Sequence, residues 1–173
     1  MATNYKAKPL SRLNIQHRTD ELRKALGLGG ILRINVLTLL ECVIAKYDDS
    51  FNYEIVKDNE IPEMALYYPG KNSILIRESI YDGARNGCGR DRYTIMHEIA
   101  HYILHDNNSI VLARGNEKIK TYEDPEWQAN AFAGEFLMPR ELIKKMKPNE
   151  IQEKCGVSLK AATYQHKKIN EHK

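Results

Sequence analysis

The pattern His97-Glu98-x-x-His101 limits what this chain can fold into more than any other stretch. It lies in Tyr93-Thr94-Ile95-Met96-His97-Glu98-Ile99-Ala100-His101-Tyr102-Ile103-Leu104-His105, and no Pro or Gly occurs from Tyr93 to Asp106. A helix from about Arg92 to His105 is expected, with Asp91 as its N-cap. Helical residues four apart lie on nearly one face, one turn up, so His97 and His101 can point at one metal ion. Glu98 falls about 100° round the helix from His97 and about 60° from His101, on the shoulder of that face. Two imidazoles beside a carboxylate suit zinc hydrolysis, the carboxylate taking the proton of an activated water. Chance gives about 0.02 such matches in a chain of this His and Glu content, so the pattern is informative.

His105 continues the four-residue spacing, but it stands about 12 Å along the helix axis from His97. Zinc–nitrogen bonds are only about 2.1 Å long. One straight helix cannot bring all three rings to one ion. His105 is therefore expected behind the ligands, on the substrate side, or in a structural role, and a third ligand must come from elsewhere.

The stretch Asp124-Pro125-Glu126-Trp127-Gln128-Ala129-Asn130-Ala131-Phe132-Ala133-Gly134-Glu135-Phe136-Leu137-Met138-Pro139 supplies it. Asp124 as N-cap and Pro125 at the first position start a helix, and Pro139 discourages continuation past Met138. Glu126 and Asn130 share a face, and the small Ala129 and Ala133 beside them allow close approach to the motif helix. Glu126 is the expected third ligand. Without the motif it would only complement the helix dipole. Asn130 is expected to hydrogen-bond the far nitrogen of a ligand histidine and fix its tautomer. A donor for the oxyanion is also expected. Tyr93, Tyr102 and His105 are near in sequence, and the sequence does not choose among them.

The 173 residues are 42% hydrophobic and 28% charged, which fits one compact soluble domain, with room for a small appendage. No run has the length of a membrane span, and the N-terminus lacks the apolar core of a signal peptide, so the expected location is the cytoplasm, with no membrane partner. The 3 cysteines are odd in number and far apart, which argues against a disulfide framework or a thiolate zinc site. The net charge of +3 is too small to argue for nucleic acid, but it is unevenly spread: +4 over residues 1–30, −6 over 31–139 and +5 over 140–173.

Along the chain, residues 1–16 read as an irregular arm, and Asp20 to Leu26 as a short helix stopped by Gly27. Ile34 to Tyr47 reads as a core helix with Asn35 as a cap. Three strand-like runs follow, Phe51–Val56, Glu63–Tyr68 and Ser73–Ile76, the last two forming a hairpin of a small antiparallel sheet. An extended peptide can pair with such a sheet's edge and so be placed over a metal. Residues 79–90 read as Gly-rich and irregular, and 107–123 as a polar loop with a short Ile110–Ala113 segment. Past a short helix at Glu141–Met146, residues 151–169 read as helix, Gly turn, Ser N-cap and helix, a helix-turn-helix-like unit. It is short and lacks an obvious base-reading set, which favours packing on the core or docking a partner over direct DNA binding.

The two blocks Gly89–His105 and Glu126–Pro139 together resemble the ImmA/IrrE family of metallopeptidases, and the helix-and-hairpin region before them is compatible with it. The second block discriminates, because many zincins share the first. The resemblance implies an α+β fold: a minimal zincin-like metallopeptidase core over residues 1–139, followed by a small helical segment over 140–173. By position it implies Zn2+ held by His97, His101 and Glu126, with Glu98 as the catalytic acid/base. The ligand set is similar to that of thermolysin-type enzymes, which carry an acidic residue one turn after the third ligand; Asn130 is a neutral counterpart. It further implies a site-specific endopeptidase whose usual substrate is a helix-turn-helix repressor, cleavage of which derepresses stress or mobile-element genes. The rival is a regulator that contains zinc and binds a repressor or DNA without cutting it.

Overall fold

The computed structural model describes residues 5–106, 110–112 (backbone) and 118–171. The strand β1 (Tyr5–Ala7) precedes helix α1 (Arg12–Ala25). Where an arm and a short helix were expected, α1 starts at residue 12 because Ser11 and Asn14 cap each other: Asn14 N donates to Ser11 Oγ, and Ser11 N donates to Asn14 Oδ1. Its inner face is Ile15, Thr19 and Arg23, one turn apart, while Leu13 stays outside. A polar pair on the buried stripe conceals the helix from a hydrophobic-period reading.

The expected core helix begins at Asn35, whose side chain accepts from the backbone N–H groups of Leu37 and Thr38. It runs through α2 (Val36–Thr38), a π-helical stretch (Leu39–Val43) and α3 (Ile44–Tyr47). Leu40 and Ile44 point into the core. At the turn that follows, Asp48 accepts hydrogen bonds from Ser50, Asn72 and the Tyr102 hydroxyl.

The sheet contains β2 (Asn52–Val56), β3 (Ala65–Tyr68) and β4 (Ser73–Arg77) in the order β2-β4-β3. The hairpin β3–β4 is antiparallel, with Leu66 opposite Leu75. The first strand departs from the all-antiparallel expectation, since β2 runs parallel to β4 with Tyr53 opposite Ile74. The intervening residues carry the chain across so that β4 lies in the centre. Ile74 and Ile76 on β4 are fully buried on one face.

Residues 79–90 are not irregular. Helix α4 (Glu78–Arg85) leads into α5 (Gly89–Leu104), the motif helix. Gly83 makes this possible: a Cβ there would come within 1.9 Å of Asp91 Oδ2, so the glycine is a close-packing residue, not a loop residue. Asp91 lies in the first turn of α5 and is buried; the helix starts earlier than expected, with Cys88 at the cap position.

The strand β5 (Ile110–Leu112) pairs antiparallel with β1, Lys6 opposite Val111. Ala113, part of the short segment expected there, lies outside the described residues, as do 107–109 and 114–117. Helix α6 (Pro125–Leu137) starts and stops as its flanking Asp124 and Pro139 dictate, and Asp124 accepts from Glu126 N. It is the most buried helix of the core, packed against α1, α5 and β1. After α7 (Arg140–Ile143), the tail forms α8 (Pro148–Cys155) and α9 (Leu159–Asn170), joined at Gly156 with Ser158 capping α9. No helix among the described residues is long and apolar enough to cross a membrane.

Three buried or nearly buried arginines tie these elements together, mostly by donating to backbone carbonyls. Arg12 bridges α1 to Glu135 of α6 at 2.9 Å and to Gln165 of α9 at 2.6 Å. Arg23 donates to the carbonyls of Phe136, Leu28 and Ile31. Arg92 of α5 donates to Gly156 O at 2.9 Å and to Ile34 O, so the start of the motif helix is fastened to the α8–α9 turn. Gly156 has φ 64°, and a Cβ there would fall 2.0 Å from Arg92 Nη1. Gly156→Ala is therefore expected to destabilise the fold by about 1–3 kcal/mol, from left-handed strain and displacement of the guanidinium. Urea titration reads this as a lower midpoint, and an unchanged midpoint would show that Arg92 does not depend on that turn.

Candidate metal centre

Helix α5 presents His97 and His101 one turn apart on the face that meets the first turn of α6. There the Asp124 cap and Pro125 start the helix so that Glu126 faces them. His97 Nε2 lies 3.0 Å from His101 Nε2 and 3.2 Å from Glu126 Oε2. Glu126 Oε1 lies 3.3 Å from His101 Nε2. Atoms bonded to one ion at about 2.1 Å stand roughly 3–3.5 Å apart, the range of these three contacts. Among the described residues, these three side chains form a group able to hold a metal. Two neutral nitrogens and one carboxylate are a donor set suited to a divalent ion such as zinc.

Hydrogen bonds from both histidines, and then their charges, hold the Glu126 carboxyl well below the usual carboxylate range, despite partial burial. Burial by itself would lower the His97 pKa, but the Glu126 hydrogen bond, the Glu98 and Glu126 charges and the Asn130 side chain outweigh it and raise it. Asn130 thus sits at His97, while its own carbonyl accepts from the Tyr93 hydroxyl at 2.8 Å.

Glu98 is buried, and its Oε2 accepts the backbone N–H of Tyr67 at 2.7 Å. Burial raises its pKa, opposed by His97, His101 and that N–H. The Tyr67 N–H points away from β4, because Tyr67 opposite Ile74 is a pair that does not exchange ladder bonds. The same alternation sets the backbone groups of Ala65 on this outer edge. The edge forms one wall of a cleft of about 580 Å³. Ala65, Leu66 and Tyr67 line it from β3, His97, Glu98 and His101 from α5, Glu126 from α6, and Tyr5 from β1.

His105 is buried behind His101. Its Nδ1 lies 2.9 Å from His101 Nδ1 and its Nε2 lies 2.9 Å from Gln128 Oε1. Burial pushes its pKa down to about 4, against the pull of Gln128. Of the other groups considered for the oxyanion, Tyr93 bonds the Asn130 carbonyl and Tyr102 bonds Asp48, so both hydroxyls brace the fold. Burial holds the Tyr93 hydroxyl up to about 12.

Two contributors escaped the sequence reading. Gln128 looks like any polar residue of α6, and only the fold reveals that it is fully buried. The Tyr67 N–H is a backbone group, to which no sequence signal attaches.

Residues 58–166 match the family model Peptidase_M78, the IrrE N-terminal-like domain. No curated protein matches the chain. A solved structure described as a Mycobacterium tuberculosis transcriptional regulator is similar with a TM-score of 0.54 and 14% identity. The alignment covers 86% of this chain and 45% of that one, so this chain spans less than half the length of that protein, and at such identity the likeness concerns the fold. The family match spans β3 to α9 and includes α5 and α6, the two helices that carry the His-His-Glu group. The chain belongs to the Peptidase_M78 family of IrrE N-terminal-like domains, a peptidase family whose chemistry implies a metal.

Proposed function

We propose that this protein is a zinc-dependent, site-specific endopeptidase acting on a helix-turn-helix repressor. The observation that carries the reading is the meeting of His97 Nε2, His101 Nε2 and the Glu126 carboxylate in a cleft walled by a strand edge. His97, His101 and Glu126 are the ligands and Glu98 is the proton carrier. Zinc held there supplies a Lewis acid that polarises a carbonyl and makes water a better nucleophile.

The chain's own residues do the rest. A substrate strand pairs along the outer edge of β3 through the Ala65 backbone groups and the Tyr67 carbonyl, the Tyr67 N–H being taken by Glu98, and this sets the scissile bond over the ligands. Glu98 accepts the proton of the attacking water and returns one to the leaving amine. Its burial suits both roles, since a raised pKa brings the carboxylate nearer the working pH. The Tyr67 N–H holds it in position. Asn130 orients His97 from behind. The tail from α7 to α9 serves as a cap: Ala162, Gln165 and Ile169 of α9 are buried and Gln165 meets Arg12, so this face is not free to enter a DNA groove. A purely structural zinc site would close its fourth position with a protein ligand. Only three side chains converge among the described residues, and Glu98 stands beside them on the cleft.

Glu98→Gln is expected to keep its zinc and cut turnover by about 10²–10⁴-fold, the usual worth of a positioned proton carrier. Cleavage at the unmodified rate would refute the assignment. Glu126→Ala is expected to weaken zinc by more than the roughly 10–100-fold typical of a residue that only supports a ligand. Chelator competition on the purified variants measures it. The substrate assignment is tested with zinc-loaded protein, a repressor encoded beside its gene and mass spectrometry of the fragments over time. Fragments with the unmodified protein, and their appearance at least about 100-fold more slowly with Glu98→Gln, are expected. An uncut, co-purifying complex would favour a regulator that binds without cleaving.

A further inference from the structure

We propose that Gln128 sets the tautomers of His105 and His101 through a one-way hydrogen-bond relay, and so selects the nitrogen that His101 turns to a metal. This rests on the reading of His101 as a ligand. Gln128 is a positioning residue: it touches no ligand atom.

The relay starts from two carbonyls. Gln128 Nε2 lies 2.8 Å from Lys8 O and 2.7 Å from Tyr122 O. Carbonyl oxygens only accept, so the amide nitrogen must occupy this position, and both of its hydrogens are used. The flipped amide would set an oxygen against two oxygens and leave buried groups unpaired, at about 1–3 kcal/mol each. The orientation of the side chain is thereby fixed without reference to the histidines.

Its oxygen then faces His105 Nε2 at 2.9 Å. An amide oxygen cannot donate, so His105 carries its hydrogen on Nε2. The ring is 1% exposed, which favours the neutral form, and a neutral ring with hydrogen on Nε2 has a bare Nδ1. That bare nitrogen lies 2.9 Å from His101 Nδ1. Two nitrogens at this distance need one hydrogen between them, and only His101 can supply it. When neutral, His101 with hydrogen on Nδ1 has a bare Nε2 on the side where His97 and Glu126 stand, and a metal takes the place that a hydrogen shared with Glu126 would otherwise fill. Each step has one allowed polarity, dictated by the step before.

Gln128 also joins parts of the chain that are remote in sequence. Lys8 lies between β1 and α1, and Tyr122 in the turn before α6, so the anchor of His101 depends on both segments being in place. His105, which cannot join His97 and His101 on one ion, has a use as the middle member of the relay.

The test reads tautomers directly. Metal-free protein carrying 15N-labelled histidine is examined by long-range 1H–15N correlation at mildly alkaline pH. The expected pattern is hydrogen on Nδ1 of His101 and on Nε2 of His105. The reverse pattern overturns the proposal, whether or not the protein binds zinc. In Gln128→Met, both histidines are expected to become tautomer mixtures, and zinc affinity by chelator competition to fall about 10–100-fold. A folded Gln128→Met protein with both unchanged overturns the relay. If that variant does not fold, the unmodified spectrum alone decides. Failure of the unmodified protein to take up zinc would instead remove the metal-site reading and leave the tautomer result standing.

Discussion

The closeness of α5 to α6 is the contact on which the site depends. Two histidines on one helix provide half of a metal site. The third donor has to arrive from another element at a separation of a few ångströms. Glu126 does so from the first turn of α6, and the side chains that allow the approach are small: Ala129 and Ala133 are fully buried. A larger residue at either would push the carboxylate away from the histidines without touching any of them. The alanines thus have a chemical consequence although they carry no chemistry.

Holding α6 in that position takes polar groups as well as apolar ones. The carbonyl of Phe136 near its end is met by Arg23, and Glu135 by Arg12, which also reaches α9. Arg92 fixes the other partner helix to the Gly156 turn. Removing one member of such a contact leaves the others buried without a partner, which costs more than the bond itself contributes. The tail α8–α9 is therefore bound into the same network that aligns α5 and α6.

What the sequence revealed follows from how local each signal is. Helix α6 was legible to the residue because its start and stop are written at its own ends, in Asp124, Pro125 and Pro139. The strands were legible from their alternation, but the parallel partner of β4 was not, since pairing direction depends on the path of the chain between elements. Helix α4 was hidden by Gly83, a residue whose reason is the carboxylate of Asp91 on the next helix. The first half of α1 was hidden because Ile15 is followed on its buried stripe by the polar Thr19, while Leu13 stays outside. At the site the same division holds. The spacing of His97, Glu98 and His101 and the face shared by Glu126 and Asn130 are properties of single helices. The roles of Gln128 and of the Tyr67 N–H exist only once separate elements have met.

That division gives the surroundings of the site a common character. Asn130 supports His97, Gln128 stands behind His105, and His105 stands behind His101; each is a neutral group in this arrangement. A carboxylate in place of Gln128 would meet the carbonyls of Lys8 and Tyr122 as a third acceptor, so the fold itself disfavours an acid there. No negative charge is thereby added behind His105, and the carboxylates of the cleft are those of its lining, Glu126 and Glu98 together with Glu63 and Asp106. Neutral support raises the basicity of a histidine less than a carboxylate would. Were an ion held there, imidazoles so supported would withdraw less of its Lewis acidity than carboxylate-backed ones.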